Sequence, residues 1–232
     1  LPAGAPMPPR QLSKVASLHQ FGGGLKSTCA AAYQGTVFVY DTPGLSLPPN
    51  YDPHGQRPKG IWKAHEGSAI SALSTSSAGG GARVVTGAKD GQVVIWDMRQ
   101  RPPGNSWCAR AHGQAVTGLQ IANDTTLVTS GLDGKVHIWD LRSASTPRAT
   151  AAPDGSAVLG AKTSPAGDCV AVFTQRNLAT VDLLAGSSAP VTLLSRAPLP
   201  RPLLDVCWNA ATGEVYAAGQ GGTVSVYRQT YA

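Results

Sequence analysis

The sequence predicts an all-β fold made of about five repeated units, and three observations lead to this prediction. Two stretches repeat one pattern, Ala-His, Thr, Asp-Gly and Trp-Asp, and their tryptophans are 43 residues apart. Five segments end alike, at intervals of 42 to 56 residues. Short apolar runs alternate with turn residues, and no stretch of about twelve residues keeps a helical period. Repeats of about 40–45 residues are typical of arrays of small β-sheets.

The two complete units carry the same four polar or aromatic residues at the same spacing. In each unit the Asp follows the Thr by four residues and the Trp follows the Asp by six. The eight residues are His65, Thr86, Asp90 and Trp96, and His112, Thr129, Asp133 and Trp139. A buried carboxylate needs partners, which imidazole, hydroxyl and indole groups supply. Because an active site need not be copied in each unit, we expect two structural hydrogen-bond networks and no catalytic residue.

Each unit divides into several short strands. In the unit that ends at Trp96-Asp97, the pattern predicts strands over residues 69–74, 82–86, 92–97 and 106–110. Asp90-Gly91 is predicted to form a type I′ hairpin turn, in which both central residues have a positive φ.

The units end near residues 41, 97, 140, 182 and 228, in an array that spans residues 12–232. Residues 1–11 are rich in proline and are predicted to be a tail or linker. In the fourth and fifth units Val181 and Tyr227 replace the tryptophan, so the network is expected to be missing there. Insertions at 42–56, 74–81 and 99–105 are predicted to share one face, where repeat arrays often contact partners.

This pattern resembles the WD40-repeat family over roughly residues 18–228. The match is specific in the second and third units and degenerate in the others, and Ala64 and Ala111 replace the family's usual glycine. The resemblance implies a WD40 β-propeller whose four-stranded blades surround a central channel, with the family's hydrogen-bond network at the eight residues named above. It also implies that five blades are part of a seven-bladed ring. The chain is then an excerpt of a longer protein, has further degenerate units, or closes with another chain.

The sequence lacks the common cofactor and catalytic motifs. It has no phosphate-binding Gly-x-x-x-x-Gly-Lys, no Gly-x-Ser-x-Gly and no His-Glu-x-x-His. Its four cysteines form no Cys-x-x-Cys pair, and no histidines have zinc-ligand spacing, so we expect no cofactor, no metal and small buried thiols. The resulting prediction is a non-catalytic protein–protein interaction scaffold. We expect it to be intracellular and cytoplasmic, with an oligomeric state that the sequence does not fix.

Two more specific functions rest on short resemblances. Trp96-Asp97-Met98-Arg99 and Trp139-Asp140-Leu141-Arg142 are similar to the motif by which some WD40 proteins bind the adaptor of cullin-4 ubiquitin ligases as substrate receptors. The stretch WKAHEG at residues 62–67 resembles propeller repeats that follow BEACH domains, which implies a membrane-trafficking or cytoskeletal protein.

The net charge of +6 is spread along the chain, without four consecutive Lys or Arg, which makes nucleic acid an unlikely partner. Basic residues do flank two tryptophans: Arg57, Lys59 and Lys63 around Trp62, and Arg99, Arg101 and Arg110 around Trp107. Such groups can bind phosphate, stack on a nucleic-acid base or contact an acidic protein. The candidate partner contacts are Arg99, Arg142, Arg57, Lys59 and Arg101. No apolar run approaches the roughly 18 residues of a transmembrane segment.

Overall fold

The computed structural model describes residues 14–15, 19–20, 27–42, 60–76, 83–100, 103–142, 146–175, 177–183, 193–198 and 202–228. Every regular element in these ranges is a β-strand, which confirms the all-β prediction. The strands form five antiparallel sheets. The proline-rich residues 1–11, and most of the insertions at 42–56 and 74–81, lie outside the described residues.

The first two sheets differ only in their first strand. The first sheet contains β1 (Lys14–Val15), β2 (His19–Gln20), β3 (Ser27–Tyr33), β4 (Thr36–Thr42) and β5 (Gly60–Lys63). In this sheet β1 and β2 both pair with β3, so together they occupy the place of one strand. The second sheet contains β6 (Ile70–Ser76), β7 (Arg83–Ala88), β8 (Gln92–Asp97) and β9 (Gly104–Arg110).

The remaining three sheets follow the same order. The third contains β10 (Val116–Asn123), β11 (Thr126–Gly131), β12 (Val136–Asp140) and β13 (Ala149–Ala151). The fourth contains β14 (Val158–Thr163), β15 (Cys169–Thr174), β16 (Asn177–Asp182) and β17 (Leu193–Pro198). The fifth contains β18 (Leu203–Trp208), β19 (Val215–Gly219) and β20 (Thr223–Tyr227).

Consecutive sheets meet mainly through their first strands, since β6 contacts β10, β10 contacts β14 and β14 contacts β18. Strand direction alternates within each sheet, so the first and third strands end at the same edge. In the third sheet the register shows this directly, because Asn123 pairs with Thr126 and Thr126 pairs with Asp140. We call this edge of the successive sheets the strand-end face; it carries residues 97–99, 123–126, 140–142 and 163–165.

The hydrophobic core lies between the sheets. Val93 and Ile95 of the second sheet pack with Val116 and Leu127 of the third. At the next junction Val136 and Ile138 pack in the same way with residues of the fourth sheet. Because both faces of these inner sheets are covered, second strands such as β11 and β15 are buried along their whole length rather than at alternate residues.

The turns before the third strands differ from the sequence prediction. Gly91 and Gly134 have φ values of +86° and +79°, whereas neither Asp90 nor Asp133 has a positive φ. The Gly91 amide donates to the Ala88 carbonyl at 3.1 Å, which closes a turn before the glycine. The type I′ prediction is therefore wrong: each loop is a type I turn followed by a left-handed glycine. The aspartates keep ordinary backbone angles because their carboxylates accept the amide two residues on, as Asp90 does from Gln92 at 3.0 Å.

One face of the fifth sheet is uncovered in the part of the chain that the structure describes. Val224 and Val226 are 69% and 51% exposed. They follow their turn glycine by two and four residues, as do Val136 and Ile138, which are 0% and 1% exposed beneath the fourth sheet. Positions that carry the core elsewhere in the repeat therefore face solvent here.

Candidate functional site

The third sheet holds a continuous hydrogen-bond chain through the four predicted residues. Trp139 Nε1 donates to Thr129 Oγ1 at 3.1 Å, and that hydroxyl bonds His112 Nε2 at 2.9 Å. His112 Nδ1 then donates to Asp133 Oδ1 at 3.0 Å. The other oxygen of Asp133 accepts the Gly113 amide at 3.0 Å. These hydrogen bonds thereby connect the segment before β10 to the turn between β11 and β12.

The second sheet forms a related chain that ends on a different residue. Trp96 Nε1 donates to Thr86 Oγ1 at 3.0 Å, and Thr86 Oγ1 bonds His65 Nε2 at 2.9 Å. His65 Nδ1 donates to Gln92 Oε1 at 3.1 Å rather than to Asp90. The expected place of Asp90 in this network is therefore corrected: Asp90 is exposed and instead accepts the Gln92 amide within the turn.

The burial of the threonines and histidines in these two networks bears on whether they can take part in catalysis. Thr86 and Thr129 are completely buried, and His65 and His112 are 4% and 3% exposed. Burial also lowers the pKa of both imidazoles, against the opposing effect of Gln92 on His65 and of Asp133 on His112. A nucleophilic hydroxyl must reach a substrate atom, and these hydroxyls lie beneath other side chains. The geometry suits a structural joint between strands.

The lowered histidine pKa values lead to a prediction about acid stability. In the unfolded chain the imidazole has a pKa of about 6.5 and takes up a proton below that pH, whereas in the fold it stays neutral. The fold therefore loses stability as the pH falls below about 6.5. We expect the denaturation midpoint to be lower at pH 5.5 than at pH 7.5. The loss should be smaller in a His65→Gln variant, which removes one titrating group. An equal loss in both proteins would contradict the assignment to His65.

The fourth sheet has a polar network of its own, although the sequence predicts none there. Asp154 precedes Val158 by four residues, as His112 precedes Val116. Asp154 Oδ2 accepts hydrogen bonds from the Thr174 hydroxyl at 2.8 Å and from the Asn177 side-chain amide at 2.6 Å. Asp154 Oδ1 accepts the Ser156 backbone amide at 3.0 Å. Burial raises the pKa of this carboxyl, but the hydrogen bonds outweigh burial and hold the pKa well below its ordinary value. A carboxylate thus replaces the imidazole at this junction.

Two identical arginine–aspartate pairs lie on the strand-end face. In the second sheet Arg99 Nε and Nη2 donate to the two oxygens of Asp97 at 2.9 and 2.6 Å. In the third sheet Arg142 contacts Asp140 in the same way at 3.0 and 2.7 Å. The arginine side chains are 65% and 73% exposed, and each lowers the pKa of its partner carboxyl to about 2.

A recess of about 430 Å³ opens at the same face, where the first strands of three consecutive sheets end. Its lining includes Gln120, Lys162, Asp205, Cys207 and Trp208. Trp208 Nε1 donates to the Lys162 carbonyl at 2.8 Å, which fixes the indole of the fifth sheet against the fourth. The recess therefore combines both signs of charge with an aromatic wall.

The remaining candidate contacts are less informative. Arg57, Lys59 and Arg101 lie outside the described residues. The two flanked tryptophans are packed between sheets, with Trp62 6.0 Å from Trp96 and Trp107 5.2 Å from Trp139, measured between ring centroids. This packing weakens the hypothesis that they stack on bases. The expectation of buried thiols is wrong for two cysteines, because Cys108 and Cys207 are exposed while Cys169 is buried.

Comparison with known proteins identifies the repeat. The family model described as "WD domain, G-beta repeat" matches residues 56–97 and 106–140. These ranges contain both complete networks. These two units are WD40 repeats.

Solved WD40 structures resemble this WD-repeat chain along most of its length. The crystal structure of the Mitotic Checkpoint Complex has a chain 19% identical, over 94% of this chain and 61% of that chain, with a TM-score of 0.71. The C-terminal WD40 domain of Sif2 is 22% identical over 86% and 54%, with a TM-score of 0.67. A chain of apo ctPRC2 in an autoinhibited state is 11% identical over 95% and 51%, with a TM-score of 0.78. No curated protein sequence matches the chain.

These identities show a shared fold and nothing more. The WD-repeat chain spans between about half and three fifths of the solved chains it resembles. WD40 propellers are typical of protein-interaction scaffolds. Among the residues that the structure describes, no helix is long and apolar enough to cross a membrane.

Proposed function

We propose that this WD-repeat chain is a non-catalytic protein–protein interaction scaffold whose partner binds the strand-end face. The observation that carries the proposal is the repetition of one arginine–aspartate geometry at Arg99 and Arg142, on adjacent sheets. Buried, repeated networks on the same sheets support a structural rather than a catalytic use of the histidines.

The aspartates hold the arginines in a form suited to binding. Asp97 accepts three side-chain hydrogen bonds from Arg99, and Asp140 accepts two from Arg142. Each aspartate also accepts the backbone amide of the same arginine, so the guanidinium is fixed before a partner arrives. Each guanidinium has five N–H donors, and those not bonded to the aspartate make no hydrogen bond to a described residue. A partner then meets two oriented cations without the entropic cost of ordering them. We expect it to offer carboxylates or backbone carbonyls.

Proximity labelling with the whole protein tests this proposal. An Arg99→Ala/Arg142→Ala variant is expected to lose its main labelled neighbours. The matched control is Lys89→Ala/Lys135→Ala, which removes two exposed cations from the same two sheets at their opposite, turn-bearing ends. If the lysine variant lost the labelled neighbours and the arginine variant kept them, the interface would lie at the turn-bearing ends, and the proposal would be wrong.

A second candidate is substrate receptor of a cullin-4-type ubiquitin ligase. The two Trp-Asp-x-Arg motifs support it, because both arginines are exposed and share one orientation. The purified ligase adaptor should bind the intact protein and lose binding in the Arg142→Ala variant. Failure of the intact protein to bind this adaptor would reject the ligase function while leaving the wider scaffold proposal in place. The trafficking alternative has no support beyond the sequence of residues 62–67.

We further propose that additional sheets complete a seven-bladed ring by packing on the fifth sheet. Support comes from Val224 and Val226, which are exposed although Val136 and Ile138, the corresponding residues of the third sheet, are buried. A cross-link between a cysteine placed at Val226 and a further sheet of the whole protein tests this arrangement. Free reactivity of that cysteine in the whole protein would contradict it.

A further inference from the structure

We propose that His112, Asp133 and His137 of the third sheet form a binding site for a transition-metal dication such as Zn²⁺. One ligand atom from each residue lies within 4.8 Å of the others. The three residues come from different elements: the link before β10, the turn before β12 and β12 itself. Their sequence spacing matches no zinc motif, so the site arises only from the fold.

The geometry suits a small ion with nitrogen and oxygen ligands. His112 Nδ1 and Asp133 Oδ1 are 3.0 Å apart. This is close to the separation of two atoms that bind the same zinc ion, each at about 2.0–2.2 Å from it. The His137 ring lies 4.8 Å from the His112 ring, measured between centroids. His137 Nδ1 bonds Thr150 Oγ1 at 2.8 Å, which orients the ring and leaves Nε2 for the ion.

Binding requires the ion to replace one proton between His112 and Asp133. The proton of His112 moves from Nδ1 to Nε2, so the imidazole stays neutral and donates to Thr129 Oγ1. Thr129 Oγ1 accepts this bond beside the one from Trp139, since a hydroxyl oxygen has two lone pairs. The Thr129 hydroxyl donates to Nε2 in the metal-free protein, so it must rotate to accept from Nε2 instead, and no net proton is released by the imidazole.

The environment keeps the ligands available. The Asp133 side chain is 14% exposed, whereas that of His112 is completely buried. Asp133 therefore offers the route from solvent to the imidazoles.

The second sheet shows that the repeat does not need this site. Val94 pairs with Thr86 as His137 pairs with Thr129, so a valine occupies the position of the third ligand. Gln92 rather than an aspartate accepts from His65. The metal-binding set is thus an addition to the third sheet, and valine at this position is compatible with the fold.

Titration calorimetry of the whole protein with Zn²⁺ alone, in the presence of a non-thiol reductant, tests the proposal. To remove adventitious thiol ligands, all proteins carry Cys108→Ser and Cys207→Ser, since both cysteines are exposed. We expect one equivalent of Zn²⁺ to bind and to raise the melting temperature. His137→Val should weaken binding at least tenfold while keeping the β-sheet circular dichroism spectrum.

A second variant guards against a folding defect in the first. Asp133→Asn keeps an acceptor for His112 Nδ1 but replaces the carboxylate by a poor metal ligand, so it should also weaken binding at least tenfold. The proposal is overturned if the parent protein binds no stoichiometric Zn²⁺, or if both folded variants bind it as tightly as the parent.

Discussion

Replacing Gly91 by alanine is expected to lower the free energy of unfolding by about 3–5 kcal/mol, which corresponds to a melting temperature lower by about 10 °C. The added Cβ would lie 1.9 Å from the His112 carbonyl oxygen, and φ at this position is +86°. The same backbone accepts hydrogen bonds from the Ala111 and His112 amides at 3.0 and 3.2 Å, so a shift there loosens the junction between the second and third sheets. Thermal unfolding measures the effect.

Gly67 provides the matched control for this substitution. Its φ of +72° is also left-handed, but a Cβ added there would meet no atom of another described residue within 4 Å. Gly67→Ala should therefore cost only the backbone strain, about 1 kcal/mol. Equal losses in the two variants would show that the close approach to His112 has no energetic consequence.

Replacing Thr129 by valine is expected to lower the free energy of unfolding by about 2–4 kcal/mol. Valine has nearly the same shape, so the change removes the hydroxyl alone. His112 and Trp139, which are 3% and 4% exposed, would then lose the oxygen that both of them bond. Chemical denaturation of the purified variant measures the loss.

Thr75→Val is the control, because the Thr75 hydroxyl is buried without a hydrogen-bond partner among the described residues. Its removal should leave stability unchanged or raise it. If Thr129→Val unfolds at the same denaturant concentration as the parent, the network in the third sheet does not stabilise the fold.

The sequence was sufficient to predict the architecture because the repeat fixes it locally. Unit ends near 97 and 140 coincide with the ends of β8 and β12, and continuous runs such as VVI at residues 93–95 are buried. The confirmed all-β fold follows from the repeat period and from the alternation of short apolar runs with turn residues. The turn type was missed because a Gly that follows a type I turn and a Gly within a type I′ turn leave the same Asp-Gly pair in the sequence.

The site was less accessible to sequence analysis because its contacts cross between elements. Gln92 competes with Asp90 for His65, and only side-chain geometry decides between them. Asp154 was missed because a carboxylate replaces the expected imidazole; its distance of four residues from Val158 was the available signal. His137 stands two residues before Trp139, and only strand pairing brings it beside His112.

The most direct test of the interaction proposal is the dissociation constant of a purified partner identified by proximity labelling. The partner is titrated against the parent protein, Arg99→Ala/Arg142→Ala and Lys89→Ala/Lys135→Ala, with folding of each checked by thermal unfolding. Loss of two oriented arginine contacts is expected to weaken binding at least tenfold, while the lysine variant stays within about twofold of the parent. Unchanged affinity in the folded arginine variant would contradict the assignment of the partner to the strand-end face.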